Sequence, residues 1–269
     1  MPLIDSLGVK IHFTVDGDGF PIILHTGAGG DATMWRQAGY VEGLPGLRCI
    51  LIDHRGHGKS DMPVGLENHA MDCYVRDIIA VLDALHIERA AFWGYSSGCS
   101  VGYALAATRP ERVAALIASG TIGARDYSEP EERAHVERRA AQVREHGLGD
   151  LIKGLEQTEA TTFPAWFFRQ MVETDREMFA LELLGESMWR GPWSILHQIQ
   201  CPVLMLAGEL EDPEGNNRRA ASVLRDAQSV TFQGLGHVGA YLRSELALSH
   251  ARPFLRARCN LRPEGKTRG

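Results

Sequence analysis

The chain has 269 residues, 44% of them apolar and 23% charged, with a formal net charge of −6. That length fits a single α/β domain, and the acidic balance gives no electrostatic footprint for nucleic acid. No stretch approaches the roughly 20 apolar residues that span a bilayer.

Met1-Pro2-Leu3-Ile4-Asp5 carries an acid and no basic segment, so no signal peptide is expected. Residues 8–15 alternate, with Val9, Ile11, Phe13 and Val15 on one face, and Asp16-Gly17-Asp18-Gly19 supplies a turn. Pro21-Ile22-Ile23-Leu24-His25 is a solid apolar run, as expected of a strand covered on both faces. It empties into Thr26-Gly27-Ala28-Gly29-Gly30 and an amphipathic stretch from Met34 to Gly43. Arg48 to Asp53 is a further buried strand, ending in His54-Arg55-Gly56-His57-Gly58-Lys59-Ser60. Helical spacing follows in Tyr74, Ile78, Val81, Leu82 and Leu85, with Arg76 and Asp77 expected to face out. Ala90 to Trp93 reads as a strand, Cys99 to Ala107 as a helix ending at Arg109-Pro110, and Val113 to Ser119 as a strand. Cys201 to Ala207 and Val230 to Phe232 complete the strands. Leu242 to Leu255 is a closing helix expected to break at Pro253, and the polar tail is expected to fray.

Strands alternating with helices at this spacing predict a mostly parallel sheet covered on both faces. One segment departs from the alternation. From about Tyr127 to Leu196 no strand is legible. Helices are predicted over Ser128 to His146, from Leu151, and from Trp166 to Leu184. The expected division is a core of residues 1–124 and 197–260, a helical insertion at 125–196, and a frayed tail at 261–269. An all-helical insertion at the carboxyl end of a parallel sheet is where a lid over a substrate pocket would sit.

Gly94-Tyr95-Ser96-Ser97-Gly98 lies between a predicted strand and a predicted helix. That context gives a G-x-S-x-G match its meaning. The turn forces the serine into a sparsely populated backbone conformation, tolerated where neighbouring side chains are absent. Gly94 and Gly98 supply that absence. The serine hydroxyl needs a base to take its proton and a carboxylate to orient that base. His237, in Gly234-Leu235-Gly236-His237 after the last strand, is the expected base. Glycine on both sides would let its ring cross the strand ends. The acid is sought in Gly208-Glu209-Leu210-Glu211-Asp212-Pro213. A proline-adjacent acid selects Asp212 and spacing from the glycine selects Glu211. Asp212 is favoured because the Asp-Pro step fixes a turn. An oxyanion hole is expected from the N–H of Ser97 and that of Gly27, with Ala28 the alternative.

Asp53, His54 and His57 lie close enough in sequence to suggest a metal site. The expectation is instead a structural turn, with Arg55 pairing with Asp53, and no metal or cofactor. The five scattered cysteines (Cys49, Cys73, Cys99, Cys201, Cys259) form no CxxC and read as reduced thiols in a cytoplasmic protein. Most aromatics of the insertion are expected in its core. Trp166 and Trp189, together with His25, Tyr95 and Val238, are the expected pocket residues.

His25 to Gly30, Asp53 to Ser60, Gly94 to Gly98, Gly208 to Pro213 and Gly236-His237 together resemble the α/β-hydrolase superfamily, in that family's order and across nearly the whole chain. The chain departs in two places: Thr26 intervenes in the usual His-Gly step, and the acid loop is one residue longer than Gly-x-x-Asp-Pro. The resemblance implies an α/β-hydrolase fold, an eight-stranded mostly parallel sheet with helices on both faces and a helical cap between the sixth and seventh strands. A serine nucleophile implies acyl transfer on a small-molecule substrate, by ester or lactone hydrolysis. Carbon–carbon cleavage of diketone-like substrates and receptor-like binding on the same fold are the alternatives.

Overall fold

The computed structural model describes residues 2–122 and 129–259. Eight strands form one sheet: β1 (Leu3–Ser6), β2 (Val9–Asp16), β3 (Phe20–His25), β4 (Leu47–Asp53), β5 (Ala90–Tyr95), β6 (Val113–Ser119), β7 (Val203–Gly208) and β8 (Ala227–Phe232). Their order across the sheet is β1-β2-β4-β3-β5-β6-β7-β8. β2 runs antiparallel to both its neighbours, β1 and β4, and the remaining pairs are parallel.

The strand period of two divides the core. Ile22, Leu24, Leu51, Trp93 and Tyr95 point to one face, and Ile23, Ile50, Ile52 and Phe92 to the other. Helices α1 (Thr33–Gln37), α9 (His237–Leu242) and α10 (Ser244–Arg258) cover the first face; α2 (Met71–Ala84), α3 (Ser97–Thr108) and α8 (Asn216–Val223) cover the second. Between β6 and β7 lie α4 (Pro130–His146), α5 (Gly149–Thr158), α6 (Ala165–Glu173) and α7 (Arg176–Ser187). This segment joins the first face through Ile152, Phe163, Phe167, Met171 and Phe179. Polar contacts fasten it to α3: Ser97 Oγ donates to Glu182 Oε1 and Ser100 Oγ to Glu186 Oε1, each at 2.6 Å.

Several sequence expectations are corrected. The stretch from Trp166 to Leu184 is two helices, because Asp175 accepts the Met178 N–H at 3.0 Å and begins a new one. α10 runs through Pro253, held by Leu248, Ala251, Phe254 and Leu255 against the core. The helical part of the stretch from Met34 is only Thr33–Gln37. β1, α8 and α9 were not legible in the pattern. Asp77 does not face solvent: it is 2% exposed and binds Arg55 at 2.6 and 2.8 Å. Arg55 therefore does not pair with Asp53. The tail expected to fray and the expected start of the insertion at 125–128 lie outside the described residues.

Candidate active site

The turn after β5 carries the strain expected of it. Ser96 has φ 56° and ψ −122°, far from the regions that a side chain favours. Three glycines make room. A Cβ on Gly94 would lie 2.3 Å from the Gly98 carbonyl oxygen, one on Gly98 2.5 Å from that of His25, and one on Gly27 2.4 Å from Ser96 Cβ. Ser96 N–H donates to the Ser119 carbonyl at 3.0 Å, which ties the turn to β6.

His237 and Glu211 arrive from the ends of β8 and β7. His237 Nδ1 lies 2.6 Å from Glu211 Oε2, and His237 Nε2 lies 3.0 Å from Ser96 Oγ. A carboxylate only accepts, so Nδ1–H donates to Glu211 and Nε2 is left to accept the serine hydroxyl. Tyr95 stacks on the His237 ring at 5.0 Å and on Tyr241 at 4.1 Å. Burial pushes the Glu211 carboxyl up, but the His237 charge and hydrogen bond, with the amides of Gly208 and Thr121, outweigh it and hold the group below its ordinary range. Burial likewise pushes the His237 imidazole down. The charge and hydrogen bond of Glu211 reverse this, Glu159 adds to the rise, Arg139 opposes it, and the group ends above its ordinary value.

Asp212, favoured from sequence as the partner of His237, lies elsewhere. Its carboxylate accepts the N–H groups of Asn216 and Asn217 at 2.8 and 3.0 Å, satisfying first-turn amides of α8. The longer loop moves the proline-adjacent acid away from His237, and the acid counted from Gly208 meets it instead.

In the loop after β3, Gly29 N–H donates to His57 Nε2 and Gly30 N–H to the Gly27 carbonyl, both at 3.0 Å. His25 is buried, with Nδ1 donating to the Thr26 carbonyl at 2.8 Å and its ring stacked on His54 at 5.1 Å. Val238, the residue after His237, is 2% exposed. Trp166 borders a cavity of about 350 Å³ together with Gly29, Gly30, His57, Arg169 and Gln170. Trp189 packs against the apolar cluster on the α2 and α3 face, away from Tyr95 and Val238.

The turn at residues 54–60 folds around the Asp53 carboxylate. This group accepts from the N–H groups of Ala32 and Lys59 and lies 2.8 Å from His12 Nδ1. Gly58, at φ 59°, has no Cβ to strike that carboxylate. His54 and His57 meet Glu182 of α7, so one buried carboxylate faces two buried imidazoles, with ligand-type atoms all within 4.8 Å of one another. His57 Nε2 already accepts the Gly29 N–H, which commits its lone pair to shaping the loop. Burial pushes His25 and His54 down to about 3 and His57 to about 4, so all three are neutral at physiological pH. The sequence showed the histidines but not Glu182, which reaches them from 128 residues beyond His54.

A family model described as alpha/beta hydrolase fold matches residues 21–238. The chain is 31% identical over 209 residues to 3-oxoadipate enol-lactonase 2 of Acinetobacter baylyi, covering 71% of each protein. It is 34% identical over 122 residues to 2-hydroxymuconate semialdehyde hydrolase of a Pseudomonas species, covering 44% of this chain and 42% of that protein. Several other curated relatives are likewise matched over about two fifths of their length. The enol-lactonase of Burkholderia xenovorans superposes with a TM-score of 0.77 at 23% identity, over 94% of this chain and 99% of that one. A thermophilic esterase from Thermogutta terrifontis superposes with a TM-score of 0.78 at 24% identity, over 95% and 98%. The chain belongs to the α/β-hydrolase fold family. It is a hydrolase enzyme of that family.

Proposed function

We propose that the chain hydrolyses a small carboxylic ester or lactone through an acyl-enzyme on Ser96. The observation that carries this reading is the hydrogen-bonded chain Ser96–His237–Glu211, at 3.0 and 2.6 Å, on a turn whose strain presents the hydroxyl. Ser96 Oγ attacks the carbonyl carbon while its proton passes to His237 Nε2. Glu211 fixes the imidazole tautomer and stabilises the imidazolium. The carbonyl oxygen takes up negative charge. The N–H of Ser97, first residue of α3, and that of Gly27 or Ala28 are the donors assigned to it. The carbonyl re-forms as the alcohol oxygen leaves with the proton from His237. In a lactone that oxygen stays tethered to the acyl group. Water, deprotonated by His237, then releases the acid and restores Ser96.

In this reading α4 to α7 form a cap, and their apolar residues near Gly29, among them Met171 and Phe179, exclude water from the acyl group. The likeness to 2-hydroxymuconate semialdehyde hydrolase keeps carbon–carbon cleavage as a second reading. The ester or lactone reading is preferred because the alignment with an enol-lactonase extends over 71% of the chain.

The test is labelling by a fluorophosphonate with peptide mapping, alongside turnover of p-nitrophenyl esters and a lactone panel. Label on Ser96 is expected, and Ser96→Ala is expected to lower kcat by at least about a thousandfold. A Ser96→Ala enzyme keeping a tenth of the rate, or a label on another residue, overturns the proposal.

A further inference from the structure

His237 opens α9, and the glycines around it have a use not visible in the sequence. Glu159 immediately follows α5, where the chain reverses sharply. Ala160 takes a left-handed φ of 48°, and Thr161 N–H closes the turn on the Glu156 carbonyl at 3.0 Å. A side chain in that conformation is strained. The reversal drives Glu159 inward, leaving it 9% exposed. Its Oε1 accepts the Val238 N–H at 2.9 Å and its Oε2 the Gly239 N–H at 2.7 Å. These are first-turn amides of α9, for which Gly236 provides no side-chain cap. A Cβ on Gly236 would lie 2.3 Å from Glu159 Cδ, and one on Gly239 2.9 Å from Oε2. The two glycines flanking this turn therefore admit a carboxylate.

We infer that Glu159 is a positioning residue for His237: from the helical insertion it clamps the two backbone amides next to the base, fixing the imidazole against Ser96 and Glu211. The inference rests on the triad reading above. It deepens that reading by making the insertion a working part of the proton-transfer geometry as well as a cover. A bidentate grip on the consecutive amides of Val238 and Gly239 fixes the backbone in rotation as well as distance, and the His237 side chain leaves the chain one residue before the first of them. The charged groups facing the ring are Glu211 from the loop after β7, Glu159 from the end of α5 and Arg139 from α4. Tyr95 lies on its face. The Glu159 charge also favours the imidazolium that forms during attack.

The experiment compares wild type, Glu159→Gln and Glu159→Asp. Glu159→Gln has the same shape, but its amide nitrogen meets a backbone N–H in place of an accepting oxygen, and the charge is gone. Its kcat is expected to fall on the order of 10- to 100-fold with KM little changed. The acid limb of its rate profile is expected to move to lower pH, because loss of a negative charge lowers the His237 pKa. Glu159→Asp keeps the charge and is expected to recover part of the rate. His237 is also followed directly by NMR titration, assigned with His237→Gln, so the readout survives without turnover. A lower titration midpoint in Glu159→Gln supports the inference even if Ser96 proves not to be the nucleophile. An unchanged midpoint together with an unchanged kcat overturns it, as does a loss of thermal stability with neither of these altered. Failure of the triad reading is recognised separately, by an active Ser96→Ala enzyme.

Discussion

Replacing the two neighbouring acids, Glu211 and Asp212, one at a time separates their roles. Glu211 collects three donors: His237 Nδ1 at 2.6 Å, Gly208 N–H at 2.9 Å and Thr121 N–H at 3.2 Å. Glu211→Gln places an amide nitrogen where an oxygen had accepted and removes the charge that balances the imidazolium. The expected loss in kcat is about 10³- to 10⁴-fold, or about 4–5.5 kcal/mol of transition-state stabilisation. Leaving a buried donor unmatched also costs about 1–3 kcal/mol of stability. Asp212→Asn, by contrast, weakens the grip on two amides of α8 and is expected to cost about 1 kcal/mol of stability while leaving kcat unchanged. The assays are steady-state hydrolysis of a p-nitrophenyl ester and urea denaturation of each variant. A Glu211→Gln enzyme with near wild-type kcat, or an Asp212→Asn enzyme as impaired as Glu211→Gln, refutes the assignment.

Acid stability tests the histidine cluster. His25, His54 and His57 are held at about 3, 3 and 4, below the ordinary 6.5, so their neutral forms belong to the folded state. Their contribution is complete above the unfolded pKa and is lost as pH falls below it, because the unfolded chain takes up protons that the fold refuses. Each histidine then removes up to about 1.4 kcal/mol per pH unit. Urea midpoints are expected to drop steeply between pH 6.5 and 5 and to stay flat from 7 to 8; a flat profile across the lower range counts against the neutral cluster. The Arg55–Asp77 pair, 1% and 2% exposed, is a second test. Asp77→Ala leaves a buried guanidinium unbalanced and is expected to cost about 3–5 kcal/mol, measured by denaturation. A loss below 1 kcal/mol would show that water reaches the pair.

The centre of the sheet was legible because its strands are buried on both faces: Ile22 to Leu24 and Cys49 to Ile52 are near-continuous apolar runs. Ser96 and His237 were legible because each has a small-residue frame that ordinary turns do not need. β1 was not, since Leu3 to Ser6 is mostly exposed and shows no apolar alternation. Asp77 misled for a related reason. It lies at a polar position of an amphipathic helix, and only its distant partner Arg55 makes that position interior. The acid loop shows the limit most clearly. Glu211 and Asp212 are adjacent carboxylates, and which one meets His237 depends on how one extra residue is absorbed between β7 and α8.

The insertion is fastened to the core at positions next to the proposed nucleophile and base. Glu182 of α7 accepts from the hydroxyl of Ser97, the residue after Ser96, and Glu159 accepts from the amides of Val238 and Gly239, the residues after His237. Apolar packing alone would tolerate small slips of this segment, since burial is insensitive to direction. Carboxylate hydrogen bonds do not tolerate them: they weaken steeply with angle and leave buried acceptors unmatched when broken. The segment thus has one preferred seat, and that seat is read out within one residue of both ends of the Ser96–His237 hydrogen bond. A substrate that moved the segment by an ångström or two would have to disturb these contacts. If the proposed acyl-enzyme reaction holds, the seating of α5 to α7 and the proton transfer between Ser96 and His237 are coupled through Glu159 and Glu182.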